Sequence, residues 1–254
     1  MTGPHPSRSH RRLPPGVRIA FEDENLLVVE KPHGLLTVAT DRRTDNTLYA
    51  KLTEYVRKGN SKSRNRVFIV HRLDRDASGL LVFAKSEPVK RALQDGWEET
   101  KKVYLVVVHG APKETAGLIT SYLVENGVHT VRSTRDSKAG KLSRTGFRVL
   151  KSQRGLSLLE VDLLTGRKHQ IRAHLSEFGH PIVGDMKYGA PNIGEKRLAL
   201  HAKSLAFRHP VTRAVVAFDS ETPGYFNRLL RSPDSAAEQD RSRSHAIPKK
   251  AAHR

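Results

Sequence analysis

Short runs of aliphatic and β-branched residues, separated by polar turns, recur along this chain and restrict it to a fold built mainly on β-strands. The clearest runs are 18–21, 26–30, 67–70, 79–84, 103–108 and 156–163, with shorter candidates near 118–123, 128–133 and 146–150. Fewer segments have helical periodicity. We therefore predict an α+β fold, in which a few helices cover a large, mixed, mostly antiparallel β-sheet.

Two segments have the spacing of amphipathic helices. Ser86 can cap the first, in which Val89, Leu93 and Trp97 recur at intervals of four residues on one face. The second follows a turn at Gly166, and its apolar residues Ile171, Leu175 and Phe178 recur at positions i, i+4 and i+7. Both are expected to pack on the sheet through these apolar faces.

The charge of the chain favours a polyanionic partner. Its 254 residues contain 45 Lys and Arg against 26 Asp and Glu, a formal net charge of +19. Residues 1–16 and 231–254 are rich in Pro, Ser, Arg and Lys, so we predict two mobile basic tails around one domain at 17–230. Most of the positive charge belongs to that domain.

The composition also bears on the compartment. The chain contains no cysteine, which rules out a disulfide framework and a cysteine-based zinc site. No apolar run approaches the roughly 20 residues that a membrane span requires. We expect a cytoplasmic protein without a membrane partner.

An isolated carboxylate, Asp74, lies between Arg72 and Arg75 in the polar connector between two apolar runs. Connectors at strand ends place side chains in clefts, which is where active-site acids are found. A lone Asp in a loop more often only caps a turn. A second polar group follows the run at 156–163, where Arg167 lies close to the turn at Gly166 and the segment then enters a helix.

These segments resemble the RluA family of pseudouridine synthases, in a form without the N-terminal S4 RNA-binding domain. Residues 71–79 match the family signature His-Arg-Leu-Asp-x-x-Thr/Ala-Ser-Gly, with Ala77 in place of the commoner Thr. Residues 165–174 match Thr-Gly-Arg-x-His-Gln-Ile-Arg-x-His. Shorter matches are 30–34, 101–110, 183–189 and 197–202, so the resemblance extends over roughly residues 18–218.

The resemblance implies the pseudouridine synthase catalytic fold and an enzyme that converts a uridine of structured rRNA or tRNA to pseudouridine without a cofactor. Asp74 would be the nucleophile, attacking either C1′ or C6 of the uridine, and Arg167 would be the cation that keeps it ionised. Tyr104 would stack on the target base, and its phenol or a base near it would take the C5 proton. Leu200 would form an apolar wall.

The target nucleotide must be extruded from folded RNA before such an enzyme can act on it. Our candidates for contacting RNA near the site are Lys31, His71, Arg72, Gln170 and Arg172. For Arg72, the alternative is a structural role. Without the additional domain, substrate selection would rest on the catalytic domain, which we expect to be a monomer.

Some of these residues also fit other roles. Tyr104 alone would be a core tyrosine. His169, His174 and His180 invite a metal site, but no carboxylate or cysteine completes a ligand spacing, so we predict no metal. For the whole chain, the alternatives are a catalytically silent RNA-binding or ribosome-assembly protein on the same fold, and a hydrolase of nucleosides or glycans.

Overall fold

The computed structural model of the chain describes residues 13–39, 46–127, 130–189 and 195–231. Its strands are β1 Arg18–Glu22, β2 Leu26–Lys31, β3 Phe68–Ile69, β4 Ser78–Ala84, β5 Lys101–His109, β6 Ala116–Glu125, β7 Val131–Thr134, β8 Lys141–Gln153, β9 Leu156–Leu163, β10 Leu200–Arg208 and β11 Val215–Asp219. Its α-helices are α1 Leu48–Val56, α2 Glu87–Asp95, α3 Gln170–Glu177 and α4 Gly224–Leu229.

All of these strands belong to one large sheet. Its main order is β1-β2-β4-β10-β5-β9-β8-β6-β7, with β3 added to β4 and β11 added to β10. Among the described strands the pairings are antiparallel, except that β10 runs parallel to β4. The predicted α+β fold with a mixed, mostly antiparallel sheet is confirmed.

The helices agree with the sequence in part. α2 begins where predicted, and the Ser86 hydroxyl accepts the Val89 N–H at 3.4 Å. α3 begins at Gln170, several residues after the turn at Gly166. α1 was not predicted from the sequence. Its signals are the cap at Thr47 and the buried residues Leu48, Leu52 and Val56, which have the spacing of one helix face.

Some predicted segments lie partly outside the described residues. The run at 67–70 forms only the two-residue strand β3, and residues 128 and 129 of the candidate near 128–133 are outside the described ranges. Most of the two predicted tails also lies outside them. The division into tails and a domain at 17–230 therefore stays a prediction.

The sheet is covered on both faces at β2, the neighbour of its edge strand β1. Leu26 and Val28 of β2 pack with the apolar face of α2, whereas Leu27 and Val29 pack in the cluster that contains the α1 residues. This follows from the alternation of side chains along a strand. Complete burial of each such aliphatic side chain stabilises the folded state by about 1.5–3 kcal/mol. This packing on both faces holds the strands from whose ends the polar connectors emerge.

Gly79 allows the parallel contact between β4 and β10. Its φ of +112° is a conformation that L side chains rarely adopt, and a Cβ placed there would lie 2.2 Å from the Ala202 carbonyl oxygen. The close approach pairs His201 with Ser78 and Ala202 with Gly79. It brings the connector before β4 beside the first residues of β10.

A buried histidine next to this contact predicts acid-sensitive stability. Burial lowers the pKa of His201 to about 4, and its ring lies between the hydroxyls of Ser78 and Ser220, at 2.9 and 3.0 Å. As the pH falls below about 6.5, the unfolded chain gains this proton before the folded chain does. Because of His201, we expect the free energy of unfolding to fall by about 2 kcal/mol when the pH is lowered from 7 to 5.

Urea denaturation at the two pH values measures this loss. The control is His201→Gln, which removes the titrating ring but keeps every other histidine. Its unfolding free energy should fall less over the same interval, whatever its absolute stability. Equal slopes for the two proteins would contradict the prediction.

Candidate active site

The connector between β3 and β4 holds Asp74 at the edge of a cleft. The backbone of this connector is fixed by the segment that follows β2. Gly34 N–H donates to the Arg75 carbonyl at 3.0 Å, Thr37 Oγ1 donates to the Leu73 carbonyl at 2.9 Å, and the His33 ring contacts the Asp76 carbonyl at 2.6 Å. Because these hydrogen bonds hold the backbone of the connector on both sides of Asp74, the carboxylate has little freedom to move.

Lys31, which was predicted to contact RNA, is part of this support. Only 1% of the residue is exposed, and its ammonium donates to the carbonyls of Pro32, Leu35 and Arg75 at 2.8–3.0 Å. All three N–H groups are thereby used. Burial lowers the pKa of Lys31 to about 8, and the carboxylates of Asp76 and Asp74 oppose this shift.

His71 also supports the connector, and since it lines the cleft its contact with RNA stays a prediction. Its Nε2 accepts the Val82 N–H at 3.2 Å, and its ring packs on Trp97 with 4.4 Å between centroids. Burial lowers the pKa of His71 to about 3, and the charge of Lys102 lowers it further. The neutral ring ties the start of the connector to β4.

Arg172, on α3, is the cation that pairs with Asp74. Its Nη1 donates to Asp74 Oδ2 at 2.9 Å, while its Nε and Nη2 donate to the two oxygens of Asp185, both at 2.8 Å. The Asp185 side chain is 0% exposed and that of Arg172 is 8% exposed. The bidentate ion pair with Asp185 therefore fixes the guanidinium from behind and leaves one edge for Asp74.

The arginine that pairs with Asp74 is not the one expected from the sequence. Arg167 was expected to pair with Asp74, and Arg172 to contact RNA. Arg167 instead lies on the exposed turn before α3, where its Nε is 3.5 Å from the Leu142 carbonyl. Because α3 begins only at Gln170, the turn points Arg167 outwards and the helix directs Arg172 towards Asp74.

Gln170 was also expected to contact RNA, and this stays a prediction. It is buried, with Oε1 accepting from the Thr165 hydroxyl at 2.8 Å and from the Arg167 N–H at 3.1 Å. Its Nε2 donates to the Arg144 carbonyl and the Thr145 hydroxyl, both at 2.9 Å. The amide is fully bonded within the protein, so it holds the turn that carries Arg167.

Tyr104 and Leu200 both line this cleft. Tyr104 is 8% exposed and lies opposite Ala202 in the pairing of β5 with β10. Burial raises the pKa of the Tyr104 phenol, and the negative charge of Asp74 raises it further. The phenol is therefore protonated at neutral pH, and it is a poor proton acceptor there.

His169 and Tyr188 complete the surroundings of Asp74. Neither residue was predicted from the sequence to have a catalytic or binding role. His169 Nε2 lies 3.8 Å from Asp74 Oδ1, and its Nδ1 lies 2.8 Å from the Tyr188 hydroxyl. Tyr188 also packs on the Arg172 guanidinium, 5.1 Å from the ring centroid. Asp185 was likewise missed. The available signal was the match at 183–189, which contains both Asp185 and Tyr188.

The cleft around these residues has a volume of about 1060 Å³. Its lining includes six exposed cationic residues, Arg72, Arg75, Arg167, Lys168, Lys187 and Lys196. Together with the buried Arg172–Asp185 pair, this gives the carboxylates of Asp74 and Asp76 in a cationic cleft with an apolar and aromatic wall. Such a site suits nucleophilic chemistry on a polyanion.

Two further features concern metals and membranes. Within the described ranges, no group of three or more His, Cys, Asp and Glu residues could hold a metal ion. No helix in the described part of the chain is both long enough and apolar enough to span a membrane.

Comparisons with known proteins give consistent results. A family model described as RNA pseudouridylate synthase matches residues 25–177. An uncharacterized RNA pseudouridine synthase of Bacillus subtilis is 35% identical over 218 residues, covering 84% of this chain and 71% of that protein. The dual-specificity RNA pseudouridine synthase RluA of Vibrio cholerae is 33% identical over 202 residues, covering 77% of this chain and 79% of that protein.

Solved structures show the same fold. Human RNA pseudouridylate synthase domain containing 1 superposes with a TM-score of 0.66 at 25% identity, covering 94% of this chain and all of that one. Human RNA pseudouridylate synthase domain containing 4 gives a TM-score of 0.68 at 24% identity, over 82% and 89% of the two chains.

Proposed function

Because the chain belongs to the RNA pseudouridylate synthase family, and so is an isomerase, we propose that Asp74 is the nucleophile by which it converts a uridine of structured rRNA or tRNA to pseudouridine. The observation that supports this role most is the charged hydrogen bond from Arg172 to Asp74 Oδ2, made at the edge of a cationic cleft. The other carboxylate oxygen lacks any hydrogen bond of normal length among the described contacts.

The reaction rearranges one nucleotide without gain or loss of atoms. The N1–C1′ bond of uridine breaks, the base turns in place, C5 joins C1′, and the C5 proton is replaced by one on N1. Asp74 attacks either C1′ or C6, and both routes use the ionised carboxylate. Arg172 favours that ionised form, and its own charge is stabilised by Asp185.

Tyr104 and Leu200 have a different task from Asp74. The ring of Tyr104, whose phenol is protonated, provides a flat surface on which the target base stacks, while Leu200 forms an apolar wall beside it. Keeping water away protects a glycosyl intermediate from hydrolysis before the base rejoins the sugar. Because Tyr104 is a poor proton acceptor, we assign the C5 proton to a carboxylate or water near it.

The exposed cations of the cleft are proposed to bind the RNA backbone. Arg72 and Arg167 flank the entrance, and neither has a carboxylate partner among the described ion pairs. Their contacts with phosphates would help offset the few kcal/mol needed to extrude the uridine. Arg167 is therefore assigned to substrate binding instead of to the pairing with Asp74, with its turn held by Gln170.

These contacts predict salt-sensitive RNA binding. Raising the salt from about 50 to about 200 mM should weaken the RNA affinity by a factor of ten or more, because each phosphate contact releases counterions. Fluorescence anisotropy with a labelled substrate RNA measures the effect. Arg167→Gln should reduce the slope of log affinity against log salt by about one. An affinity that does not change with salt would remove the electrostatic argument.

A site-by-site map of pseudouridine tests the proposed function. Carbodiimide adducts and reverse-transcription stops would be mapped in total RNA from cells with the wild-type protein, with Asp74→Ala, and without the protein. Stops that disappear in both altered strains identify the uridine and support the proposal. A map that is unchanged in the strain without the protein would overturn it.

A further inference from the structure

His169 has a backbone conformation that its position just before α3 does not explain. With φ 52° and ψ 18° it is left-handed, at the residue just before α3. Glycine and asparagine adopt this conformation more readily than histidine does. The side chain of a residue in this position usually caps the helix, but the His169 ring makes no such bond. Strained residues of this kind concentrate at functional sites.

The ring of His169 instead connects two other side chains. Its Nδ1 lies 2.8 Å from the Tyr188 hydroxyl, and its Nε2 lies 3.8 Å from Asp74 Oδ1. The Tyr188 hydroxyl in turn accepts the Val131 N–H at 2.8 Å. The ring is therefore fixed by a tyrosine that is itself attached to β7.

This arrangement favours one tautomer of the neutral ring. Because the Tyr188 oxygen already accepts an N–H from Val131, its own proton is available for His169 Nδ1. The ring proton then lies on Nε2, on the side of Asp74 Oδ1. A movement of less than about 1 Å brings Nε2 and Oδ1 to hydrogen-bond distance. Catalytic hydrogen bonds commonly shorten in this way when substrate binds.

We propose that His169, oriented by Tyr188, is a positioning residue that donates a hydrogen bond from Nε2 to Asp74 Oδ1 and so fixes the direction in which this carboxylate attacks. The inference rests on the proposed role of Asp74 as nucleophile. Arg172 holds Oδ2 and His169 holds Oδ1, so the carboxylate plane is defined from two sides. No proton leaves the ring, which acts only through this hydrogen bond.

The role requires a neutral ring. The groups that face it are the carboxylate of Asp74, the cations Arg172, Lys168 and Lys187, and the phenol of Tyr188. Burial lowers the pKa of His169 below its ordinary value, Asp74 opposes this, and the three cations lower the pKa further. In acid the ring becomes a cation that pairs with Oδ1 and competes with attack, so activity should fall as the ring is protonated.

His169→Asn is the decisive variant, because asparagine accepts the left-handed backbone and its shorter side chain cannot bridge Tyr188 and Asp74. We expect its thermal stability to be unchanged or higher. Its single-turnover rate constant, measured on the RNA that the map identifies, should fall on the order of 10- to 100-fold. The acid-side decline of that rate constant should move to lower pH. Tyr188→Phe should show a smaller fall in the same direction.

His109→Asn serves as the matched control. His109 lies at the end of β5 and does not line the cleft, so its replacement should leave both the rate and its pH profile unchanged. A wild-type rate in His169→Asn would overturn the proposal. A lower rate with an unchanged acid-side decline would also overturn it, since that result is expected of a structural role.

Nuclear magnetic resonance of the imidazole nitrogens tests the hydrogen bond without any reaction. The proposal requires the Nε2–H tautomer of His169 in the wild-type protein, and a change in its pKa in Asp74→Asn, where the carboxylate charge is absent. The Nδ1–H tautomer would overturn it. If the wild-type protein forms no pseudouridine, the proposed function fails, and the tautomer alone then decides whether His169 is oriented towards Asp74.

Discussion

Asp74→Asn is expected to lower the single-turnover rate of uridine isomerisation on the order of 10⁴-fold or more, because the amide is a poor nucleophile and carries no charge. The change keeps the size of the side chain. Arg172 remains paired with Asp185 through two hydrogen bonds, so the site should stay folded. We therefore expect the RNA affinity, measured by anisotropy, to stay within several-fold of the wild-type value.

Asp76→Asn is the matched control for this prediction. Asp76 lies on the same connector, two residues away, with its side chain 50% exposed and only a 4.0 Å contact with Arg75. It lacks the buried guanidinium partner of Asp74. Its replacement should change the rate by no more than a few-fold. Full activity in Asp74→Asn, in a preparation free of the host enzymes, would exclude Asp74 as the nucleophile.

Asp185→Ala should produce the largest loss of stability, about 3–5 kcal/mol in the free energy of unfolding. The change leaves the buried Arg172 charge with Asp74 as its remaining partner among the described ion pairs. It also removes the acceptor of the N–H groups of Lys187 and Tyr188, both at 2.9 Å. Because Arg172 then loses its fixed position, the isomerisation rate should fall as well.

Urea denaturation followed by circular dichroism measures this stability change. Asp219→Ala is a suitable control, since Asp219 also forms an ion pair, with Lys203, but its side chain is 66% exposed. An exposed pair is worth about 0–1 kcal/mol. A loss in Asp185→Ala no greater than in Asp219→Ala would show that the buried pair does not stabilise the fold.

The sheet and the connector that carries Asp74 were predictable from the sequence because both depend on local patterns. Strand runs are recognised from neighbouring residues, and Asp74 stands alone between cations at the end of one such run. α1 was predictable in principle, since its cap and apolar spacing are present in the sequence. The pairing of β10 between β4 and β5 was not predicted, because it joins segments that are far apart in the chain.

The roles of the polar residues depended on such distant contacts. Lys31 is a lysine among many, and the carbonyls that surround it have no signature in the sequence. Arg167 and Arg172 are five residues apart in one motif, and only the point where α3 begins decides which of them faces Asp74. Sequence spacing identifies the group of residues, whereas the assignment of each one needs the fold.

The position of β10 has a consequence for the synthesis of the protein. The chain makes β4 and β5 early, but the strand that separates them in the sheet begins only at Leu200. Until β10 emerges, the two halves of the sheet cannot adopt their final arrangement, and each has an unpaired edge that is prone to aggregation. Asp74 and Leu200 come together only at that late step. A nascent chain is therefore expected to be inactive on RNA, and to depend on chaperones, until most of its length has been translated.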